Sequence, residues 1–217
     1  MVPGISTELR AVLFDFGGVL AEEGFRDGLR ALARQQSLET DALVHEGFRA
    51  VHDSGYVTGQ GSESGFWELL RQRTGLRGSD SALRNAILSR FVIRPWILGL
   101  AQALRDSGYQ VAILSDQTDW LECLNQRYRF YFRFDRIFNS YRLGKSKRDV
   151  TLFDDVVTAL GLAPPQVLFI DDNEGNVDRA RSRGLRTILY RQRHDVETSL
   201  RELLRQAAVS PTTGVGQ

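Results

Sequence analysis

Lysine is almost missing from this chain. Of its 28 basic residues only Lys145 and Lys147 are lysines, two positions apart, and arginine supplies the rest. Cysteine occurs once, at Cys123, which excludes an internal disulfide framework and any zinc cluster built on cysteine. No apolar run approaches the ~20 residues of a membrane span. Met1 to Arg10 lacks a basic segment leading into an apolar stretch, so no secretory leader is expected. The net charge is +1 and gives no pull toward nucleic acid or an anionic membrane. Neither a Walker loop nor a dinucleotide-binding glycine fingerprint is present. These absences lead to the expectation of a cytoplasmic protein that binds neither nucleic acid nor membrane. A chain of 217 residues holds one domain with an insertion, or two small domains.

What is present begins at residues 11–15, an apolar run that stops at one carboxylate, Asp15, followed by Gly17 and Gly18. A run so short and so apolar reads as a strand buried on both faces, and a charge at its end is costly unless it is used. From about 25 to 91 the periodicity turns helical, over roughly 25–36, 41–53, 63–73 and 80–91. Thr40, Ser62 and Ser79 stand at the expected N-caps. From Pro95 onward strands and helices alternate. Strands are expected at 110–114, 135–139, 167–170 and 185–189, and helices at 95–107, 119–128, 149–160, 174–183 and 195–208. The fold class expected is therefore α/β: a Rossmann-like, doubly wound parallel sheet with a small α-helical cap inserted after the first strand. The core is expected from 1–20 and 95–209, the cap from 21–94, and a disordered tail from 210–217.

In such sheets ligands sit at the carboxyl ends of the strands. Asp15, Ser115 and the pair Asp171 and Asp172 each close an apolar strand, so residues far apart in sequence converge on one sheet edge. Carboxylates in that place suit Mg²⁺, a hard cation that shares oxygen ligands with phosphates. A lysine and a hydroxyl suit the remaining phosphate oxygens, and a carboxylate is a natural phosphoryl acceptor. The histidines, His45, His52 and His194, fall away from these strand ends. His45 and His52 are expected on the surface of one cap helix. Two other groups have competing readings. Tyr56, Phe66 and Trp67 either line the pocket or pack the cap helices together, and the strip Arg127 to Arg133 is either a helix-to-strand junction or a stacking surface for bases.

Four motifs occur in order: Phe14-Asp15-Phe16-Gly17-Gly18-Val19, Ile113-Leu114-Ser115-Asp116, Gly144-Lys145-Ser146-Lys147-Arg148-Asp149, and Phe169-Ile170-Asp171-Asp172-Asn173. Together they resemble the haloacid dehalogenase superfamily, in particular its helical-cap branch with the phosphatase domain of soluble epoxide hydrolase and sugar-1-phosphate phosphatases. The resemblance implies a Mg²⁺-dependent phosphatase of a small phosphorylated metabolite, acting as monomer or homodimer. It implies Asp15 as nucleophile, with Ser115, Asp116, Lys147 and Gly18 at the phosphate. It implies Asp15, the carbonyl of Gly17 and Asp172 at the metal, with Asp171 and Asn173 in support. Spacing from Gly144 favours Lys147 over Lys145 as the functional cation. Three positions depart from the family pattern. Gly17 stands where an acid/base Asp is usual, Asp116 where Asn is common, and Arg148 where Pro is common. Glu22, Glu23 or a cap residue remain as substitutes for the missing acid. The departures also motivate an alternative, a catalytically silent protein that binds a ligand or partner. A dehalogenase is a further alternative.

Overall fold

The computed structural model describes residues 8–209. The expected tail at 210–217 and the first seven residues lie outside the described residues. The sheet has five parallel strands in the order β3-β2-β1-β4-β5. They are β1 (Ala11–Phe14), β2 (Gln110–Ser115), β3 (Arg136–Asn139), β4 (Val167–Asp171) and β5 (Arg186–Leu189). The central strand β1 pairs Phe14 with Ile113 on one side and with Ile170 on the other. That register puts the ends of β1, β2 and β4 level, which is what brings their polar terminal residues together.

Both sheet faces are covered, and the alternation of side chains sorts them. Val12, Phe14, Val111, Ile113, Leu168 and Ile170 point into one core. There they meet α5 (Pro95–Asp106), α6 (Trp120–Tyr128) and the start of α10 (Arg193–Val209). Ala11, Leu13, Ala112, Leu114, Val167 and Phe169 point into the other, against α8 (Thr151–Leu160) and α9 (Glu174–Ser182). Burial on both sides is the reason these strands are unbroken apolar runs and not alternating ones.

The insertion consists of α1 (Gly24–Gln35), α2 (Thr40–Asp53), α3 (Glu63–Thr74) and α4 (Asp80–Leu88), with a 3-10 turn at Tyr56–Thr58. Its two ends are joined by a single antiparallel bridge from Ala21 to Ile93. Gly28 lets α1 and α4 approach closely, since a Cβ there would lie 2.6 Å from the Ile87 Cα. Ser62 and Ser79 cap α3 and α4 by accepting from the N–H groups of Gly65 and Ala82. Thr40 does not cap α2. Glu39 does, its longer side chain accepting from the N–H groups of Asp41 and Ala42.

Phe66 and Trp67 are fully buried and bind cap to core through Trp120, whose ring stacks on Trp67 at 5.8 Å between centroids. Tyr56 joins them, donating its hydroxyl hydrogen to Asp119. The Ser140 hydroxyl at the start of the short helix α7 (Ser140–Leu143) donates to the Val57 carbonyl at 2.7 Å. The Arg127 to Arg133 strip is no continuous surface: Phe130 is buried and stacks on Phe16 at 5.2 Å.

Candidate active site

A cavity of about 510 Å³ opens between the carboxyl edge of the sheet and the cap. Its core wall carries Asp15, Gly17, Ser115, Asp116, Lys147, Asp172 and Asn173. Asp15 follows β1 directly, and its N–H still pairs with the Ile170 carbonyl at 2.9 Å. Ser115 is the last residue of β2, not the first after it, and Asp171 the last of β4. Gly18 is not on the cavity wall. Its N–H donates to Ala21 at 2.8 Å and its carbonyl accepts from Arg94.

Lys147 is the hub. Its side chain is 1% exposed, and its ammonium donates to Asp15 at 2.6 Å and to Asp171 at 2.7 Å. Lys145 points the other way, out to Asp155 and Thr151. The difference follows from the loop. Asp116 accepts from the backbone N–H of Lys147 at 2.9 Å and Arg179 donates to its carbonyl at 2.7 Å. Together they anchor the backbone from both sides and turn this one side chain inward. So the carboxylate where Asn is common serves the loop and leaves the ammonium of Lys147 to Asp15 and Asp171. Asp171, fully buried, also accepts from the Asn173 N–H at 2.7 Å and from the Asn176 amide. Asn173 in turn caps α9.

Negative charge outweighs positive here. Oxygen atoms of Asp15, Asp171 and Asp172 lie within 4.8 Å of one another, against one ammonium. Burial pushes the Asp15 carboxyl well above its usual range, the Lys147 charge opposes this, and Asp171 and Asp172 add to it. Burial and then Asp171 raise Asp172 as well. Burial would lower Lys147, but the carboxylates of Asp15, Asp171 and Asp116 outweigh it and raise it. A divalent cation among the three carboxylates relieves that excess, and an all-oxygen donor set fits Mg²⁺.

The cap wall is different in kind. Phe25, Phe48, Val51 and Val57, with Trp120 from the core, form an apolar side. Glu23, Arg26 and His52 bring polar groups. His52 is half-buried on this wall, not a plain surface residue as its helix position suggested. Burial and the Arg148 charge hold its imidazole down at about 4. Of the two glutamates singled out in the sequence, Glu22 is exposed and paired with Arg94 at 2.7 Å, while Glu23 lines the cavity.

Comparison with known proteins follows the same lines. A family model described as haloacid dehalogenase-like hydrolase matches residues 9–182. The bifunctional epoxide hydrolase 2 of Sus scrofa is 27% identical over 217 residues, covering 90% of this chain and 38% of that protein. Its counterpart from Rattus norvegicus is 30% identical over 125 residues, 54% of this chain and 22% of that one. The chain thus spans well under half the length of these curated relatives. Among solved structures, a haloacid dehalogenase family enzyme of Bacteroides thetaiotaomicron with magnesium superposes with a TM-score of 0.71 at 24% identity, covering 89% of this chain and 99% of that one. The same enzyme with magnesium and inorganic phosphate gives 0.66 at 24% identity, covering 84% and 94%. The L-2-haloacid dehalogenase of Xanthobacter autotrophicus gives 0.63 at 19% identity, covering 89% and 83%.

Proposed function

The chain belongs to the haloacid dehalogenase-like hydrolase family, and on that premise we propose that it is a Mg²⁺-dependent phosphatase of a small phosphorylated metabolite. The observation that carries this reading is Asp15, held by the Lys147 ammonium at 2.6 Å beside the Asp171 and Asp172 carboxylates. An acceptor so placed attacks phosphorus and receives the phosphoryl group. Lys147 balances the charge of Asp15, and with Ser115 it holds phosphate oxygens. Asp15 and Asp172 would hold the metal, with Asp171 and Asn173 fixing the loop around it. Mg²⁺ bound there supplies charge neutralisation at the phosphoryl oxygens. Asp171 orients Lys147, since its own oxygens are filled by Lys147, Asn173 and Asn176. Asp116 meets Lys147 at its backbone N–H, so the ammonium is left to Asp15 and Asp171.

The test is phosphate release from a panel of phosphorylated metabolites with Mg²⁺ present. Asp15→Asn is expected to lower turnover by at least about 10⁴-fold. Folded protein that turns over no phosphoester would sink the reading, and chloride release from a 2-haloacid would replace it with dehalogenation.

A further inference from the structure

Displacement of an alkoxide needs a proton, and the buried carboxyls of the core wall are already taken. Asp15 and Asp171 are bound to Lys147, Asp116 to the Lys147 N–H, and Asp172 belongs to the acidic cluster. Two further carboxyls line the cavity: Glu174, exposed at the start of α9 and 3.9 Å from Arg191, and Glu23, more buried and 3.6 Å from Arg26. Among the described residues two buried side-chain polar atoms lack a hydrogen bond, Glu23 Oε2 and Trp120 Nε1, and both residues line this cavity. Glu23 stands at the N-cap of α1 yet makes no capping bond, unlike Glu39 at the same place on α2. Its other oxygen, Oε1, lies 3.4 Å from where a Cβ on Gly17 would be. The carboxyl therefore reaches the space that a side chain two residues past Asp15 would enter.

We propose that Glu23 is the proton donor and acceptor of the reaction, reaching from the cap hinge into the space beside Gly17. This rests on the phosphatase reading. In the first step an Asp15 oxygen bonds to phosphorus, the phosphorus–oxygen bond to the leaving group breaks, and that oxygen takes the Glu23 proton to depart as an alcohol. In the second, the Glu23 carboxylate takes a proton from water, whose oxygen bonds to phosphorus. The Asp15–phosphorus bond breaks, inorganic phosphate leaves, and both carboxyls are restored. The charges facing Glu23 are Arg26 at 3.6 Å and Asp27 on its own helix, and Asp172 from the end of β4. Burial, the largest influence, pushes Glu23 up to about 7 against the pull of Arg26, in the range that suits a general acid and base.

The experiment compares wild type, Glu23→Gln and the double variant Glu23→Gln, Gly17→Asp on glycerol 3-phosphate and 4-nitrophenyl phosphate, whose leaving group needs no proton. Glu23→Gln is expected to lose about 10²–10⁴-fold on glycerol 3-phosphate. On 4-nitrophenyl phosphate it is expected to release about one nitrophenol per site in a fast burst and then stall, because the second step still needs the base. A Cβ at position 17 meets nothing closer than 3.4 Å, so Gly17→Asp is expected to restore glycerol phosphate turnover. Loss of the burst together with turnover, without rescue, would make Glu23 structural and overturn the proposal while the phosphatase reading stands. An unchanged Glu23→Gln overturns it equally. Wild type inactive on both substrates counts against the phosphatase reading itself and the proposal with it.

Discussion

The two walls of the cavity are built on opposite principles. On the core wall the Lys147 ammonium ties Asp15 to Asp171, Asp171 accepts further from Asn173 and Asn176, and Lys147, Asp15 and Asp171 are buried. On the cap wall the Glu23 and Arg26 side chains lie 3.6 Å apart, with Arg26 42% exposed. A buried charge network is rigid because breaking it leaves unpaired charge in a low dielectric. Loosely held groups at a hinge reposition at little cost. The contrast shows a division of labour: the sheet edge holds a fixed acidic site around Lys147, and the cap supplies groups held more loosely.

Three substitutions test that contrast beyond the kinetic ones above. The largest stability effect is expected from Lys147→Met, which strands Asp15 and Asp171 in the core. Chemical denaturation at pH 7 without Mg²⁺ should register a loss of about 3–5 kcal/mol. Because the Asp15 carboxyl is already raised, the loss should shrink as pH falls and Asp15 takes up a proton. A loss below the size of an ordinary surface substitution would break the picture of a rigid core wall.

Next comes Gly18→Ala. Gly18 has φ +88°, and a Cβ there would lie 2.2 Å from Asp172 Oδ2, so the backbone is strained and Asp172 must move. A destabilisation of about 1–2 kcal/mol is expected from the backbone alone. Weaker Mg²⁺ binding, read as a higher half-saturating concentration, should accompany it. The smallest effect is on the cap side and has the opposite sign. Glu23 titrates near 7 in the folded chain against 4.5 unfolded. The folded state therefore holds the proton more tightly. That contribution is full below pH 4.5 and is lost as pH rises through 7. Glu23→Gln should thus be more stable than wild type at pH 8, by on the order of 1 kcal/mol, measured by thermal melting across the pH range. Equal stability at pH 5 and pH 8 in wild type would mean that Glu23 carries no such burden.

Much of the fold was legible because its signals are local. The apolar runs at 11–14, 111–114 and 167–170 are long enough for strands and too uniform for one buried face, and the glycine after residue 160 ends its helix. Strand ends shifted by one residue at Ser115 and Asp171, where pairing to β3 and β5 extends the ladder. The cap of α2 was misplaced by one, since Thr40 and Glu39 both carry acceptors and only packing selects the longer one. Helix α7 was not anticipated because four residues show no periodicity.

The sheet, the helical insertion and the set of strand-end carboxylates were readable from the chain alone, since hydrophobic period and the strand-end rule act within a few residues. Tertiary structure alone decided how Lys147, already favoured by its spacing from Gly144, is turned inward, what Asp116 does, and which glutamate faces Gly17. Each of these depends on where a side chain lands relative to distant chain, as with Lys147 and Asp15, which meet across 132 positions. No pattern within a few residues encodes such a meeting. It follows only when β1, β2 and β4 are level.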